Sequence, residues 1–345
     1  AANLILVIVD LVLKASIWTV NLFSNIPYSS VFTTTPTILE TVLFYILIVS
    51  VVEFKNIRFF KYTLPVVMLI IIGNYSFWYY HLNYNTKLKV TFISVGQGDS
   101  ALIEFPYGKR MLIDGGGFYN ADFDVGERII APFLWKNKID RIDYIVLSHP
   151  QRDHMMGLKF IAERFRSKEF RWNGDVGADK GYEELMQSID KNSVKRFVSD
   201  SDTPPLDING TIVEFLSPPQ ESHLDTNNNS LVVRLTYKNI SFLFTGDIED
   251  IGETILLKAG DKIKSAVLKV PHHGSRTSSQ MGFLKAVSPE FAVISVGHSN
   301  PFGFPHPEIL KRYEGLKIPV LRTDINGAIT VETDGARLKV SAYKN

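Results

Sequence analysis

The sequence predicts a two-part chain, transmembrane helices followed by an α/β (α+β) domain built around a sandwich of sheets. Three observations carry that expectation. Residues 1–80 hold long apolar stretches with only four basic and three acidic residues, leaving 33 of each sign for the rest of the 345. From residue 88 onward, short β-branched runs bounded by Gly, Pro, Asn and Asp alternate with helical patterns. Several of those runs end directly in Asp or His, which puts titratable groups at strand ends. A length of 345 also exceeds one ordinary core of about 100–200 residues, so two units or more are expected.

Composition narrows the function classes. With 45% hydrophobic and 21% charged residues the chain is not disordered or low-complexity. It has no cysteine, which excludes a disulfide framework, a Cys-ligated zinc finger and a thiol nucleophile. Any metal must therefore be held by His, carboxylate or amide groups. A net charge of +1 carries no global footprint of a nucleic-acid binder, so such a role must rest on the site itself.

In the membrane part, residues 1–81, three spans are expected at most and two at least. Residues 1–22 are apolar except for Asp10 and Lys14, which fall four apart on one helix face. Residues 36–52 start at a proline and run nearly uncharged, with Glu40 near the end. Residues 62–80 finish in a Tyr/Trp cluster suited to the headgroup level. A cleaved signal peptide is the poorer account of residues 1–22, because a basic leading segment is missing and two further apolar stretches follow. The loop 53–61 carries Lys55, Arg58 and Lys61, whereas residues 21–35 carry no charge, so the basic loop is expected on the cytoplasmic side. One more crossing then puts residues 82–345 outside, on the periplasmic or extracellular face of an inner or plasma membrane.

In the second part, residues 88–95 alternate and meet a turn at Gly96-Gln97-Gly98-Asp99, and Ser100–Phe105 resumes a strand, which makes a hairpin. Arg110–Ile113 is a strand ending in Asp114-Gly115-Gly116-Gly117, where glycines would let backbone approach a ligand. A helix is expected over 126–137. Tyr144–Leu147 is a short buried strand that runs into Ser148-His149-Pro150-Gln151-Arg152-Asp153-His154, before a helix at Leu158–Arg164. Imidazoles and carboxylates within six residues of one loop can converge on a metal ion. Residues 231–236 and 240–245 form a second hairpin that ends in Gly246-Asp247. Residues 266–270 form a strand that ends in Pro271-His272-His273-Gly274-Ser275. Segment 171–204 reads as a polar excursion with one helix, Tyr182 to Lys191, and residues 315–345 as a closing hairpin. Delivery of Asp or His by separate strands at their carboxyl ends is how a metal site is built at one edge of a sandwich.

These motifs, in this order, resemble a metallo-β-lactamase-fold hydrolase, and more narrowly the C-terminal domain of the ComEC family of DNA-internalisation competence proteins. Val95–Ser100, Leu112–Gly116, His149 to His154, Asn229–Val232, Thr245–Asp247 and His272–Ser275 carry the resemblance, over residues 88 to about 310. It implies a four-layer αββα sandwich in a membrane DNA-uptake channel, with single-stranded DNA, membrane lipid and other parts of the uptake machinery as partners and no small-molecule cofactor. It implies one or two divalent ions, Mn or Zn, held by His149, Asp153, His154, Asp247 and His272, with Asp247 bridging and Asp114 beside the site. Three positions depart from the pattern: Gln151 and Asn229 stand where the fold usually carries His, and Phe304 stands where the family tends to place His, with His306 two residues on as a substitute. Two-metal chemistry is thereby placed in doubt.

The resulting expectation is metal-dependent hydrolysis of DNA phosphodiesters, with Asp153, Asp247 and His273 as catalytic groups. His273, Ser275 and His306 are the candidate proton donors, and Arg152 and Arg276 are possible phosphate contacts. The alternative from another class is a non-catalytic DNA-guiding module with a degenerate site. A third, a small-ester or lactam hydrolase, would use the same metals.

Overall fold

The computed structural model describes residues 2–26, 31–52, 60–117 and 123–343. Three helices come first: α1 (Ala2–Ser24), α2 (Ile38–Val52) and α3 (Phe60–Asn83). Leu4–Ser24 and Lys61–Asn83 are long and apolar enough to cross a bilayer by length and composition. α2 is shorter: its 15 residues rise about 22 Å, against a hydrocarbon core of about 30 Å. Lys14 and Asp10 do share a helix face, 2.7 Å apart. Most of the basic loop 53–61, including Lys55 and Arg58, lies outside the described residues.

α2 opens with a capping box: Thr37 N donates to Glu40 Oε2 at 2.7 Å and Glu40 N to Thr37 Oγ1 at 3.2 Å. Glu40 also pairs with Lys138 of the second part, whose Nζ donates to Thr35 O at 2.8 Å. Phe32 stacks on Trp135 at 5.3 Å. The carboxylate near the end of the apolar stretch is therefore satisfied by a lysine from the other part of the chain.

The second part has fifteen strands among the described residues, in two sheets. The first sheet is ordered β15 (Leu338–Tyr343), β14 (Ala328–Thr333), β1 (Leu88–Phe92), β2 (Ala101–Glu104), β3 (Arg110–Ile113), β4 (Tyr144–Leu147), β5 (Glu169–Trp172), β6 (Lys195–Val198). The second is β13 (Val320–Arg322), β12 (Phe291–Ile294), β11 (Val267–Lys269), β10 (Ile240–Phe244), β9 (Val232–Tyr237), β8 (Thr211–Ser217), β7 (Leu206–Ile208). The pairs β3–β4 and β10–β11 are parallel, so their carboxyl ends lie on one edge of each sheet. The expected closing hairpin is β14–β15, added to β1 in the first sheet.

Strand alternation sorts each side chain to one of three cores. On β3 and β4, Met111, Ile113 and Val146 enter the core between the sheets, with Phe92, Phe244, Val267 and Val293. Leu112, Ile145 and Leu147 face the other way, onto α4 (Ala131–Lys136), α6 (Leu158–Arg164) and α7 (Lys180–Lys191). The outer face of the second sheet, with Leu243, Leu268 and Ile294, packs on α8 (Asp250–Leu256), α9 (Met281–Val287) and α10 (Pro307–Gly315). This is the four-layer αββα order. Phe92 and Phe244 stack across the inter-sheet core at 5.8 Å, and each such buried ring stabilises the fold by about 1.5–3 kcal/mol.

Candidate metal centre

At one edge of the sandwich four strands hand over to loops. β3 ends in Asp114, β4 in Ser148 and His149, β10 in Gly246 and Asp247, and β11 in the turn bearing His272 and His273. α5 (Arg152–Met155) follows β4 and contributes Asp153 and His154. The loops interlock so closely that a Cβ at Gly98 would lie 2.2 Å from the Asp153 carbonyl oxygen, and one at Gly117 would lie 1.9 Å from that of Arg152. The glycine run after Asp114 packs closely, Gly115 on Leu158, Gly116 on Val95 and Gly117 on Arg152.

Asp153, His154, Asp247 and His273 each offer a ligand atom within 4.8 Å of the others. His154 Nε2 and His273 Nε2 each lie 3.3 Å from Asp247 Oδ2, and His273 Nε2 lies 3.4 Å from Asp153 Oδ2. Their other nitrogens are spoken for. His154 Nδ1 lies 3.0 Å from Asp114 Oδ2, and His273 Nδ1 lies 2.8 Å from the Ser295 carbonyl oxygen, which only an N–H can satisfy. Those bonds place a proton on Nδ1 of each ring, so that Nε2 carries the lone pair whenever the ring is neutral. Both Nε2 atoms are buried without a hydrogen-bond partner among the described residues. Imidazoles oriented by a carboxylate or carbonyl behind them, with the far nitrogen orphaned toward two carboxylates, fit a divalent cation.

The electrostatics agree. Burial opposes charge on His154, yet Asp247 and Asp114 hold its imidazole well above the ordinary range. Burial likewise opposes charge on His273, and Asp247 and Asp99 hold it up. The same burial would raise Asp247, but His273 and His154 drive its carboxyl well below the usual value. Protons on the imidazoles thus balance the carboxylates, the place a cation takes when it binds.

Around this cluster lie groups the sequence reading did not assign. Lys269 buries its ammonium against Asp99, donates to the Gly246 carbonyl at 2.9 Å and stands 3.6 Å from Asp247 Oδ1. The signal was present as a lysine in the apolar strand run Ala266–Val270, where charge is rarely buried unless paired. Ser148 donates from N and Oγ to the two oxygens of Asp114, at 2.7 and 2.8 Å. Asp114 is therefore a positioning group for His154, itself raised by burial against the opposing pull of that imidazole.

The expected His272 is displaced by its neighbour. His273 closes the four-residue cluster, while His272 Nε2 stands 3.8 Å from Asp247 Oδ2 and its side chain is 17% exposed, against 1% for His273. Both residues are left-handed, at φ 47° and 52°, a strained pair that swings the two rings apart. His272 Nδ1 faces Glu249 Oε1 at 3.1 Å. His149 is buried with Nδ1 near Ser148 Oγ and an orphaned Nε2, and burial, then His154, push its imidazole down to about 3.

At the positions that depart from the pattern the amide nitrogens are engaged, while Asn229 Oδ1 is buried without a hydrogen-bond partner among the described residues. Gln151 Nε2 donates to Asn227 Oδ1 at 2.5 Å, and Asn229 Nδ2 to Asp175 Oδ1 at 2.8 Å. Asp175 and Asn173 belong to the polar excursion 171–204, which thus reaches the site edge. Ser275 Oγ bonds Thr277 Oγ1 at 3.0 Å within its turn. His306 lies near the turn, its N donating to Gly274 O, but Nδ1 accepts from Glu308 N as the cap of α10 and Nε2 accepts from Arg276 Nε. Neither Ser275 nor His306 joins the cluster. Arg152 pairs with Asp179 at 2.5 Å and is not free for phosphate.

Comparison with known proteins follows the same line. The metallo-beta-lactamase superfamily matches residues 93–298. The ComE operon protein 3 of Bacillus subtilis is 32% identical over 253 residues, 70% of this chain and 32% of that protein. Competence protein ComA of Neisseria gonorrhoeae is 33% identical over 241 residues, 70% of this chain and 31% of that protein. The solved metallo-beta-lactamase fold protein YhfI of Bacillus subtilis aligns over 72% of this chain and 100% of its own, at 13% identity and a TM-score of 0.47. The chain spans about a third of the length of its curated relatives, and those relatives bear out the resemblance to ComEC-type competence proteins. The chain belongs to the metallo-beta-lactamase superfamily.

Proposed function

We propose that residues 82–345 are a metal-dependent phosphodiesterase acting on DNA strands, facing outward from a membrane-bound uptake machine of which this chain is a part. The observation that carries this reading is the convergence of Asp153, His154, Asp247 and His273, two of them with orphaned Nε2 atoms aimed at one carboxylate oxygen. A divalent cation held by these four residues, Mn or Zn, would supply Lewis-acid activation of water and would neutralise charge on an attacked phosphodiester. The chain's own residues do the rest. Asp114 and the Ser295 carbonyl fix the two imidazoles, Lys269 balances Asp99 and Asp247, and His272, on the solvent side with Glu249 behind it, offers a proton to the leaving oxygen. DNA as substrate is supported by the name of the competence relative, and membrane attachment by the apolar α1 and α3. Outward orientation is supported by the basic loop 53–61.

Gln151, an uncharged amide whose Nε2 donates to Asn227, stands where the fold usually carries His, which favours one ion over two. The same observation favours the second reading, a DNA-guiding module without catalysis. The 345-residue chain in detergent micelles, stripped of metal and titrated with Mn or Zn, is tested on labelled single-stranded DNA beside Asp247→Asn. Metal-dependent cleavage lost in the variant supports the phosphodiesterase. A folded, metal-loaded chain that binds DNA and leaves it intact moves the assignment to the guiding module.

A further inference from the structure

We propose that the cavity between the end of α3 and the first sheet binds the phosphate of an anionic phospholipid headgroup, so that the bilayer surface itself fastens the second part of the chain. This inference goes beyond the phosphodiesterase reading and rests only on its membrane attachment, through α3. The cavity holds about 310 Å³, at the low end of the roughly 300–1,000 Å³ of ligand pockets. One side is a row of register partners across five neighbouring strands: Lys339 of β15, Glu332 of β14, Lys89 of β1, Glu104 of β2 and Arg110 of β3. The other is the last turn of α3, with Trp78 and Leu82. Opposite charges side by side on adjacent strands are ordinary pairing. Here the pairing does not close. Glu332 is held by Lys87 at 2.6 Å and Glu104 by Lys89 at 2.7 Å, which leaves Arg110 and Lys339, the two ends of the row, without an ion pair among the described residues. Lys136 of α4, exposed and also lining the cavity, is likewise without one.

Arg110 is the centre of the argument. It is 5% exposed, and a charge so buried is costly unless paired. Its Nη2 donates to the Leu82 carbonyl at 3.2 Å, while Nε is buried with no hydrogen-bond partner among the described residues. Trp78 Nε1, lining the same cavity, is orphaned in the same way. Two unsatisfied donors beside a surplus of positive charge call for an acceptor that is an anion, and a guanidinium fork flanked by lysines is the chemistry that takes phosphate. The depth of the cavity names the source. Trp78 belongs to the Tyr/Trp cluster that closes α3, residues suited to the headgroup level. The helix end is seated firmly on the sheet: a Cβ at Gly108 would lie 2.8 Å from Asn83 Oδ1, and Tyr107 N donates to Asn85 O at 2.8 Å. The cavity therefore lies where α3 leaves the bilayer, at the level of the lipid phosphates. A zwitterionic headgroup would bring its ammonium against Arg110 and the lysines, so the fit is to an anionic one.

The test uses the 345-residue chain in neutral maltoside micelles, with binding read by isothermal calorimetry. The probes are dihexanoyl phosphatidylglycerol, dihexanoyl phosphatidylcholine and inorganic phosphate. The expected result is saturable binding of the phosphatidylglycerol, at least about ten-fold tighter than that of the phosphatidylcholine. Lys136→Gln combined with Lys339→Gln should lower that affinity about 25-fold, about five-fold for each lysine near an anionic headgroup. Arg110→Gln should abolish the preference for the anionic lipid, and the exposed lysine pair keeps the test decisive if that buried variant does not fold. Lys258→Gln combined with Lys262→Gln, exposed and away from the cavity, should leave the affinity unchanged. Equal affinity for the two lipids overturns the site, as does an equal loss in both lysine pairs. Inorganic phosphate bound as tightly as the lipid overturns the headgroup as the source. Release of the chain from membranes by alkaline carbonate is a different failure, of the membrane attachment, and takes the headgroup with it; retention in the membrane without selective lipid binding overturns the headgroup alone.

Discussion

Asp114 accepts from His154 Nδ1 at 3.0 Å, and the same ring sets its Nε2 3.3 Å from Asp247 Oδ2. A carboxylate at the end of β3 thereby aims an imidazole from α5 at a carboxylate from the end of β10. Removing it should disturb metal binding without removing a ligand. Asp114→Asn is expected to weaken Mn or Zn affinity about 10–100-fold by isothermal calorimetry, the range for losing an orienting outer partner. An unchanged affinity would show that the ring is held by packing alone.

His272 and His273 should separate cleanly. His273→Ala is expected to lower metal affinity at least about 100-fold, more than loss of an outer partner, because it removes a group of the cluster. His272→Ala should leave affinity within about three-fold of wild type while cutting the rate on DNA by about 10²–10⁴-fold, the span of a general acid. The opposite pattern would return His272 to the metal.

Lys269 is the lysine buried against Asp99, with His273 Nδ1 3.5 Å from the other carboxylate oxygen. Lys269→Met strands buried carboxylates, and breaking a buried pair from one side destabilises by about 3–5 kcal/mol. Thermal unfolding of the chelated chain should show that loss, and added Mn should raise the midpoint of the variant by more than it raises the wild type.

One ion per chain is the expected stoichiometry. Gln151→His combined with Asn229→His should bring it to two by metal analysis after gel filtration, since each replaces a hydrogen-bonded amide with an imidazole at the site edge. One ion in both proteins would mean that another feature limits the site.

Glu253 supplies a pH dependence away from the metal. Its carboxyl is buried under α9, accepting from Ser279 N and Gln280 N, and burial pushes it up to about 7 from an ordinary 4.5. A folded value above the unfolded one means stability is fully present below about 4.5 and is lost as pH rises through about 7. Glu253→Gln should flatten the unfolding midpoint against pH across that window, and an equal slope in both proteins would refute the assignment.

Much of the fold was legible because strong local patterns met no competing constraint. The strand Tyr144–Leu147 and the helix Leu158–Arg164 have the bounds that β-branched runs and helical periodicity indicated. β6 and the last two residues of β5 were hidden inside segment 171–204, read as a polar excursion. Glu169, Arg171, Lys195 and Arg196 break the alternation there, and the structure accommodates them by pairing Arg171 with Glu169 at 2.8 Å and by placing β6 at the sheet edge, where charge guards against further pairing. Glu40 was visible as a carboxylate near the end of an apolar stretch, but its two roles, the capping box with Thr37 and the pairing with Lys138 about a hundred residues on, were not.

By itself the sequence determined that Asp and His stand at the carboxyl ends of separate strands, since strand boundaries and the residues after them are local properties. Only the tertiary structure decided which of those groups meet. Neighbours such as His272 and His273 share a position in the chain, and the left-handed turn that carries both sends one ring into the cluster and the other toward solvent. Lys269 lies within an apolar strand run, and only the fold brings the loop bearing Asp99 against it. The reason is physical: convergence depends on side-chain direction and on loops brought together from far along the chain, and neither is set by the spacing of residues within any one motif.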